Sequence, residues 1–298
     1  MIRPSNLQKG DTIALVSPAK SIEEKHISFA KTYFEAKGYK VIIGDHAAGE
    51  YHYFAGTDEE RTADFQWAID HPEVKAIVCN RGGYGAIRVL NRVQWANLLR
   101  EPKWIVGFSD ITNFHLQGLK LGVETIHASM PLNFETNSIE ALESLMTVLT
   151  TGSVSHQWPV SPKNIVGQSE GIVVGGNLSI LYSLLGTPLC PSFENAILFV
   201  EDIGEQVYNI DRMIQALSLA GAFEQIKGLV VGGMTDLKET AVPTNWDYRN
   251  LFLEPLRFRQ IPVAFDVPIG HIDDNRAVIC GRKATFEVNE NEVIFYQK

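Results

Sequence analysis

Serine 109 stands at a corner, Gly-Phe-Ser-Asp (107–110), between an apolar run and a helical pattern. A serine there can cap a helix by accepting a backbone N–H from the first turn. It can also be a nucleophile on a tight strand-to-helix turn, beside N–H groups that stabilise an oxyanion. Both roles are compatible, since a hydroxyl has spare lone pairs. The spacing Gly107-x-Ser109 matches the first half of the G-x-S-x-G elbow, with Ile111 in place of the second glycine. The chemical role requires three more groups: a base, a carboxylate to orient it, and a second oxyanion donor.

Candidates for each follow other apolar runs. The loop "NRGGYGAIR" (80–88) carries Gly82, Gly83 and Gly85. Such a loop is either a tight turn needing φ > 0 or a place where backbone N–H groups approach a ligand. It matches neither G-x-G-x-x-G nor a P-loop, so nothing in it asks for a nucleotide. Glu201 and Asp202 end the run "AILFV"; they are either a solvated strand end or acceptors for an imidazole N–H. His271, in "PIGHIDDNRAV", is either a loop histidine or the base. With Asp273 and Asp274 it also offers metal-type ligands, but too few for a zinc or hard-ion site. No metal and no organic cofactor is expected. His127, in "ETIHASMP", is the second candidate base, and His115 reads as a local packing or capping group. His26, His46, His52, His71 and His156 lie in polar, surface-like settings. Arg81 either grips a substrate carboxylate bidentately or makes a salt bridge within its loop. Tyr84 and Trp246 are further substrate-binding candidates, the latter in a loop (232–248) that also holds Tyr248.

The elements that must position these residues alternate in period. Residues 11–17, 39–44, 74–79 and 103–108 are short β-branched runs bounded by turns, the pattern of strands buried on both faces. Capping boxes at Ser21/Glu24 and Thr57/Glu60 open two intervening helices. This predicts an α/β fold, with an N-terminal mostly parallel sheet flanked by helices. Residues 171–175, 196–200 and 228–233 read as further strands, with helices from Asn177 and around residues 208–219. The alternating end, 284–297, reads as a β-hairpin. The Ser/Pro/Gly-rich stretch 151–168 reads as a linker between domains 1–150 and 169–298.

A chain of 298 residues with 45% hydrophobic content has core enough to fold without staples. Its net charge of −9, with no Lys/Arg run, argues against nucleic-acid binding. Three widely spaced cysteines give no disulfide pattern. No signal peptide or membrane span is legible, so a cytoplasmic location is expected.

Separately these signals are weak. Jointly, "GDTIALVSPAK", "GTDEERTADFQWA", "RGGYGAIRVL", "KWIVGFSDIT", "GGNLSILYSLLGTP", "EDIGEQVYNIDRMI" and "DVPIGH" resemble the serine LD-carboxypeptidase family, which includes the microcin C self-immunity hydrolases. The resemblance implies Ser109 as nucleophile, Glu201 as acid and His271 as base. It implies an oxyanion hole from the backbone N–H of Asp110 and one from the glycine loop, assigned to Gly83 with Gly82 adjacent. It further implies a smaller, β-rich C-terminal α/β domain and a cytosolic homodimer acting on a small muropeptide and releasing D-Ala, with microcin-type aminoacyl nucleotides as the alternative substrate. A non-catalytic small-ligand binder remains the contrasting class.

Overall fold

Runs of β-branched residues with no polar alternation can be buried on both faces only in a sheet covered by helices, and that is what they form. The computed structural model describes residues 1–298 as two units, Met1–Gly152 with Asp273–Gly281, and Ser153–Ile272 with Arg282–Lys298. In the first unit, β1 (Thr12–Val16), β2 (Lys40–Ile43), β3 (Val74–Cys79), β4 (Trp104–Gly107) and β5 (Thr125–His127) are parallel, in the order β5-β4-β3-β1-β2. Helices α1 (Glu24–Ala36), α2 (Asp58–Asp70), α3 (Ala86–Leu90), α4 (Ala96–Arg100), α5 (Thr112–Leu121) and α6 (Ile139–Thr151) connect or follow them.

The capping box at Thr57 is formed: its Oγ1 accepts from Glu60 N, and the Glu60 carboxylate accepts from Thr57 N. The box expected at Ser21 is not. Helix α1 begins later, behind Glu23, and the Ser21 N–H donates instead to the Tyr53 carbonyl. A tertiary partner outcompetes the local cap. Lys103, just before β4, is buried, and its ammonium donates to the carbonyls of Ala68, Ile69 and His71, closing the end of α2.

The second unit holds β6 (Val154–Pro159), β7 (Gly167–Asn177), β8 (Ala196–Ile203), β9 (Gly228–Thr235) and β10 (Val263–Ala264). Its helices are α7 (Leu178–Ser183), α8 (Val207–Leu219), α9 (Ala222–Gln225) and α10 (Tyr248–Leu253). β11 (Val278–Cys280) lies in the first unit, antiparallel to β5. The hairpin β12 (Lys283–Val288) and β13 (Glu292–Gln297) completes the second sheet, ordered β10-β9-β8-β7-β12-β13-β6. Strands β7 to β10 are parallel; β12, β13 and β6 add antiparallel pairs.

Two expected boundaries differ. The stretch read as a linker supplies β6, whose Val154, His156 and Trp158 face inward while alternate residues face solvent. Ser, His and Pro mask that alternation, but an edge strand tolerates them. His156 is accordingly buried against Trp158, not surface-placed. The chain also returns to the first unit at residues 273–281, because β5 needs an edge partner that only the later sequence supplies. No helix is long and apolar enough to cross a membrane.

Candidate active site

In the first unit, β4 ends at Gly107 and the chain turns within four residues, 108–111, into α5. Ser109 sits at the turn with φ 62°, in the left-handed region. For a non-glycine residue that conformation costs on the order of 1–3 kcal/mol and persists only where surroundings impose it. Ser109 is therefore not the helix cap expected from its type. Phe108 occupies the flanking position, and no side chain caps the short turn Ser109–Ile111. The strained geometry is that of a nucleophile elbow.

The departure from the elbow motif is also explained. A Cβ on Gly107 would lie 2.9 Å from both Cγ atoms of Ile111, so glycine at 107 makes room for isoleucine folding back over the turn. His115, fully buried, binds the Gly107 carbonyl through Nε2 at 2.9 Å and Thr125 Oγ1 through Nδ1 at 2.9 Å. Burial pushes its pKa down to about 4, so the ring is neutral and structural.

The glycine loop lies against the elbow. A Cβ on Gly82 would be 2.9 Å from Ser109 Cβ, 3.1 Å from its Oγ and 3.2 Å from Asp110 N. Gly83, at φ 99°, is in a conformation that a side chain rarely adopts. Asp110 is buried and accepts the Ala86 N–H at 2.8 Å through Oδ2 and Asn113 Nδ2 at 3.0 Å through Oδ1. Burial raises its pKa to about 6, against the opposing pull of the Ala86 N–H and the Arg61 guanidinium. Arg81 donates through Nη1 to the Ser21 carbonyl at 2.9 Å, and Tyr84 is half exposed. His127, the second candidate base, is fully buried on β5 beside Phe108.

In the second unit, β8 delivers Glu201 and β9 runs alongside. Their register shifts: Val200 faces Val231 but Asp202 faces Met234, which puts Gly232 and Gly233 opposite Glu201. Such a bulge re-aims a side chain. Glu201 is fully buried, and its Oε2 accepts from His271 Nδ1 at 2.6 Å and from the His271 N–H at 3.3 Å. The approach depends on missing side chains, since a Cβ on Gly270 would stand 2.5 Å from Glu201 Cβ, Cγ and Oε2. Thr235 Oγ1 donates to the His271 carbonyl at 3.2 Å.

Burial alone would lower the His271 pKa, but the Glu201 charge and hydrogen bond outweigh it and raise the value. With Nδ1–H held by the carboxylate, Nε2 of the neutral ring is an acceptor, the tautomer a general base needs. Asp202 plays a different part. It accepts from Asn177 Nδ2 and from the Ser179 N–H and hydroxyl, fixing the start of α7. Asp274 is held by Arg276 and Ser138, and Tyr248 by Asp266. Trp246 is half exposed beside a cavity of about 500 Å³ lined by Asp211, Gln215, Asn250 and Glu254. Sequence reasoning passed over Gly232, Gly270 and Thr235; the Gly-Gly pair at the end of β9 was the local signal for a bulge.

Sequence profiles for the LD-carboxypeptidase N-terminal and C-terminal domains match residues 13–128 and 170–286. The murein tetrapeptide carboxypeptidase of Pseudomonas aeruginosa is 32% identical over 96% of this chain and 98% of its own length. The microcin C7 self-immunity protein MccF of Escherichia coli is 25% identical over 96% and 93%. The crystal structure of the muramoyltetrapeptide carboxypeptidase from Oxalobacter formigenes superposes with a TM-score of 0.87 at 30% identity, covering 96% of this chain and 98% of that one. Fold and relatives together define a peptidase of mixed α/β architecture. More narrowly, the chain belongs to the LD-carboxypeptidase family.

Proposed function

We propose that the protein is a serine LD-carboxypeptidase that releases a terminal D-amino acid, D-Ala from a murein tetrapeptide, in cell-wall recycling. The observation that carries the reading is the buried Glu201 carboxylate on His271 Nδ1, which leaves Nε2 as the proton acceptor. The strained Ser109 turn supports it from the other unit. Ser109 attacks the carbonyl of the amide between an L-centre and the D-residue, and His271 takes its proton. Glu201 stabilises the imidazolium. The oxyanion faces the Asp110 and Gly83 N–H groups, each worth about 100- to 1000-fold in rate if lost. His271 then protonates the leaving amine, and water clears the acyl-enzyme. Arg81, Tyr84 and Trp246 are the proposed substrate contacts. The relatives' names support a muropeptide substrate; the cytosolic homodimer rests on the family resemblance alone.

The test is incubation with L-Ala-γ-D-Glu-meso-diaminopimelyl-D-Ala and detection of free D-Ala. Release by the wild type, lost in Ser109→Ala with folding intact, is expected. No release, with cleavage of an aminoacyl sulfamoyl adenylate, moves the substrate to the microcin type. Ligand affinity unchanged by Ser109→Ala, with no turnover of either compound, makes the protein a binder.

A further inference from the structure

The close approach of Gly82 to Ser109 needs a cause, because the glycines have no side chains to hold it and the Arg81 side chain reaches to the Ser21 carbonyl instead of the elbow. Besides the Arg81 bond, three further contacts hold the loop. On one side the Lys20 N–H donates to the Gly82 carbonyl at 3.2 Å. On the other, Arg61 Nη1 donates to the Gly85 carbonyl at 3.1 Å, and the Ala86 N–H donates to Asp110 Oδ2 at 2.8 Å. Gly85 precedes α3 with φ 131°, and a Cβ there would meet Arg61 Nη1 at 2.7 Å. The residue at the cap position therefore has no side chain to cap with, and the elbow supplies the acceptor instead.

Asp110 follows the nucleophile directly. Its side chain and backbone thus act at one place: the N–H lies in the elbow, and the carboxylate ties the elbow to the loop that faces it. Asn113, the second residue of α5, orients the carboxylate by donating Nδ2 to Oδ1 at 3.0 Å and to the Asp110 carbonyl at 2.9 Å. Arg61 is itself immobilised: it is buried, donates to the Pro18 and Gly56 carbonyls, pairs with Asp58 and lies over the Phe54 ring.

Resting on the nucleophile assignment above, we propose that the Asp110 side chain is a positioning residue that sets the distance between the Ser109 elbow and the Gly82–Gly83 loop, with Asn113 orienting it and Arg61 as the fixed second clamp. Its removal leaves the nucleophile and base present but the two oxyanion donors no longer held in register. The loss then falls on the transition state, not on substrate binding.

The test compares Asp110→Ala with Asp110→Asn in D-Ala release, with thermal unfolding of each. In Asp110→Asn the amide oxygen still accepts from the Ala86 N–H. Asp110→Ala is expected to lose about 100-fold in kcat with KM changed less than about threefold, the cost of a misplacement of about 1 Å. Asp110→Asn is expected to recover most of it. A second measurement does not depend on the natural substrate: the rate at which a fluorophosphonate phosphonylates Ser109, read by intact mass. There the serine oxygen bonds to phosphorus as fluoride leaves. Slow labelling in Asp110→Ala, with folding retained, supports positioning. Wild-type kcat or labelling rate in folded Asp110→Ala overturns it, as does a folded Asp110→Asn no faster than Asp110→Ala. Failure of the wild type to label at Ser109 at all would instead remove the nucleophile assignment.

Discussion

Replacing Gly82 by alanine isolates the contact between loop and elbow. Gly82 is not in the left-handed region, so alanine meets no backbone strain there. The new methyl would lie 2.9 Å from Ser109 Cβ, an atom fixed to the backbone and unable to swing aside. Carbon atoms rest at about 3.5–4.0 Å, so elbow and loop must separate by about 0.6 Å or more. Overpacking of this kind costs about 1–3 kcal/mol, offset by about 0.4–1 kcal/mol from the stiffer unfolded chain. The variant therefore stays folded, its melting temperature lowered by a few degrees, roughly 2–4 °C per kcal/mol. Since a misplacement of about 1 Å costs roughly 100-fold, a shift of about 0.6 Å should lower kcat on the order of tenfold or more. The assay is D-Ala release with kcat and KM resolved, beside calorimetric unfolding. A kcat within twofold of wild type would refute the argument that this contact sets the geometry of attack. So would a loss accounted for by unfolding at the assay temperature.

Glu201→Gln keeps a carbonyl oxygen for His271 Nδ1–H but removes the charge that raises its pKa. In the wild type the acid limb of kcat/KM should have its midpoint above the ordinary histidine value of about 6.5. In the variant burial is opposed only by the Asp202 charge and the neutral amide, the midpoint falls from its wild-type position, and the plateau drops on the order of 10⁴-fold. An unmoved midpoint in the pH profile would contradict this. The same raised value has a stability consequence. The His271–Glu201 pairing stabilises the fold fully below the unfolded-state pKa, and the contribution is lost as pH rises through the higher folded-state value; denaturant titrations at several pH values should show this in the wild type and not in the variant. Thr57→Ala removes the acceptor for the Glu60 N–H and should cost about 1 kcal/mol in chemical denaturation, with kcat unchanged.

The local code was legible where an element needs only its own residues. The apolar runs of β1, β3 and β4, the Thr57 box and the Asn177 cap could be read because period and capping act within a few residues. The resemblance named Ser109, Glu201 and His271, and it rests on motifs that are themselves local. What the sequence could not supply was competition between distant partners. The Ser21 box lost to the Tyr53 carbonyl, and residues 154–159 became a strand only because β13 offered an edge.

The sequence by itself determined the alternation of strands and helices, the glycines that permit close approach, and the residue types able to do acyl-transfer chemistry. Tertiary structure decided which of two adjacent carboxylates meets an imidazole, because a bulge between β8 and β9 turns Glu201 toward His271 while Asp202 is spent on α7. It also decided that Ser109 is strained instead of capping. A left-handed φ is unfavourable for serine in isolation, and only packing around the turn can hold it there.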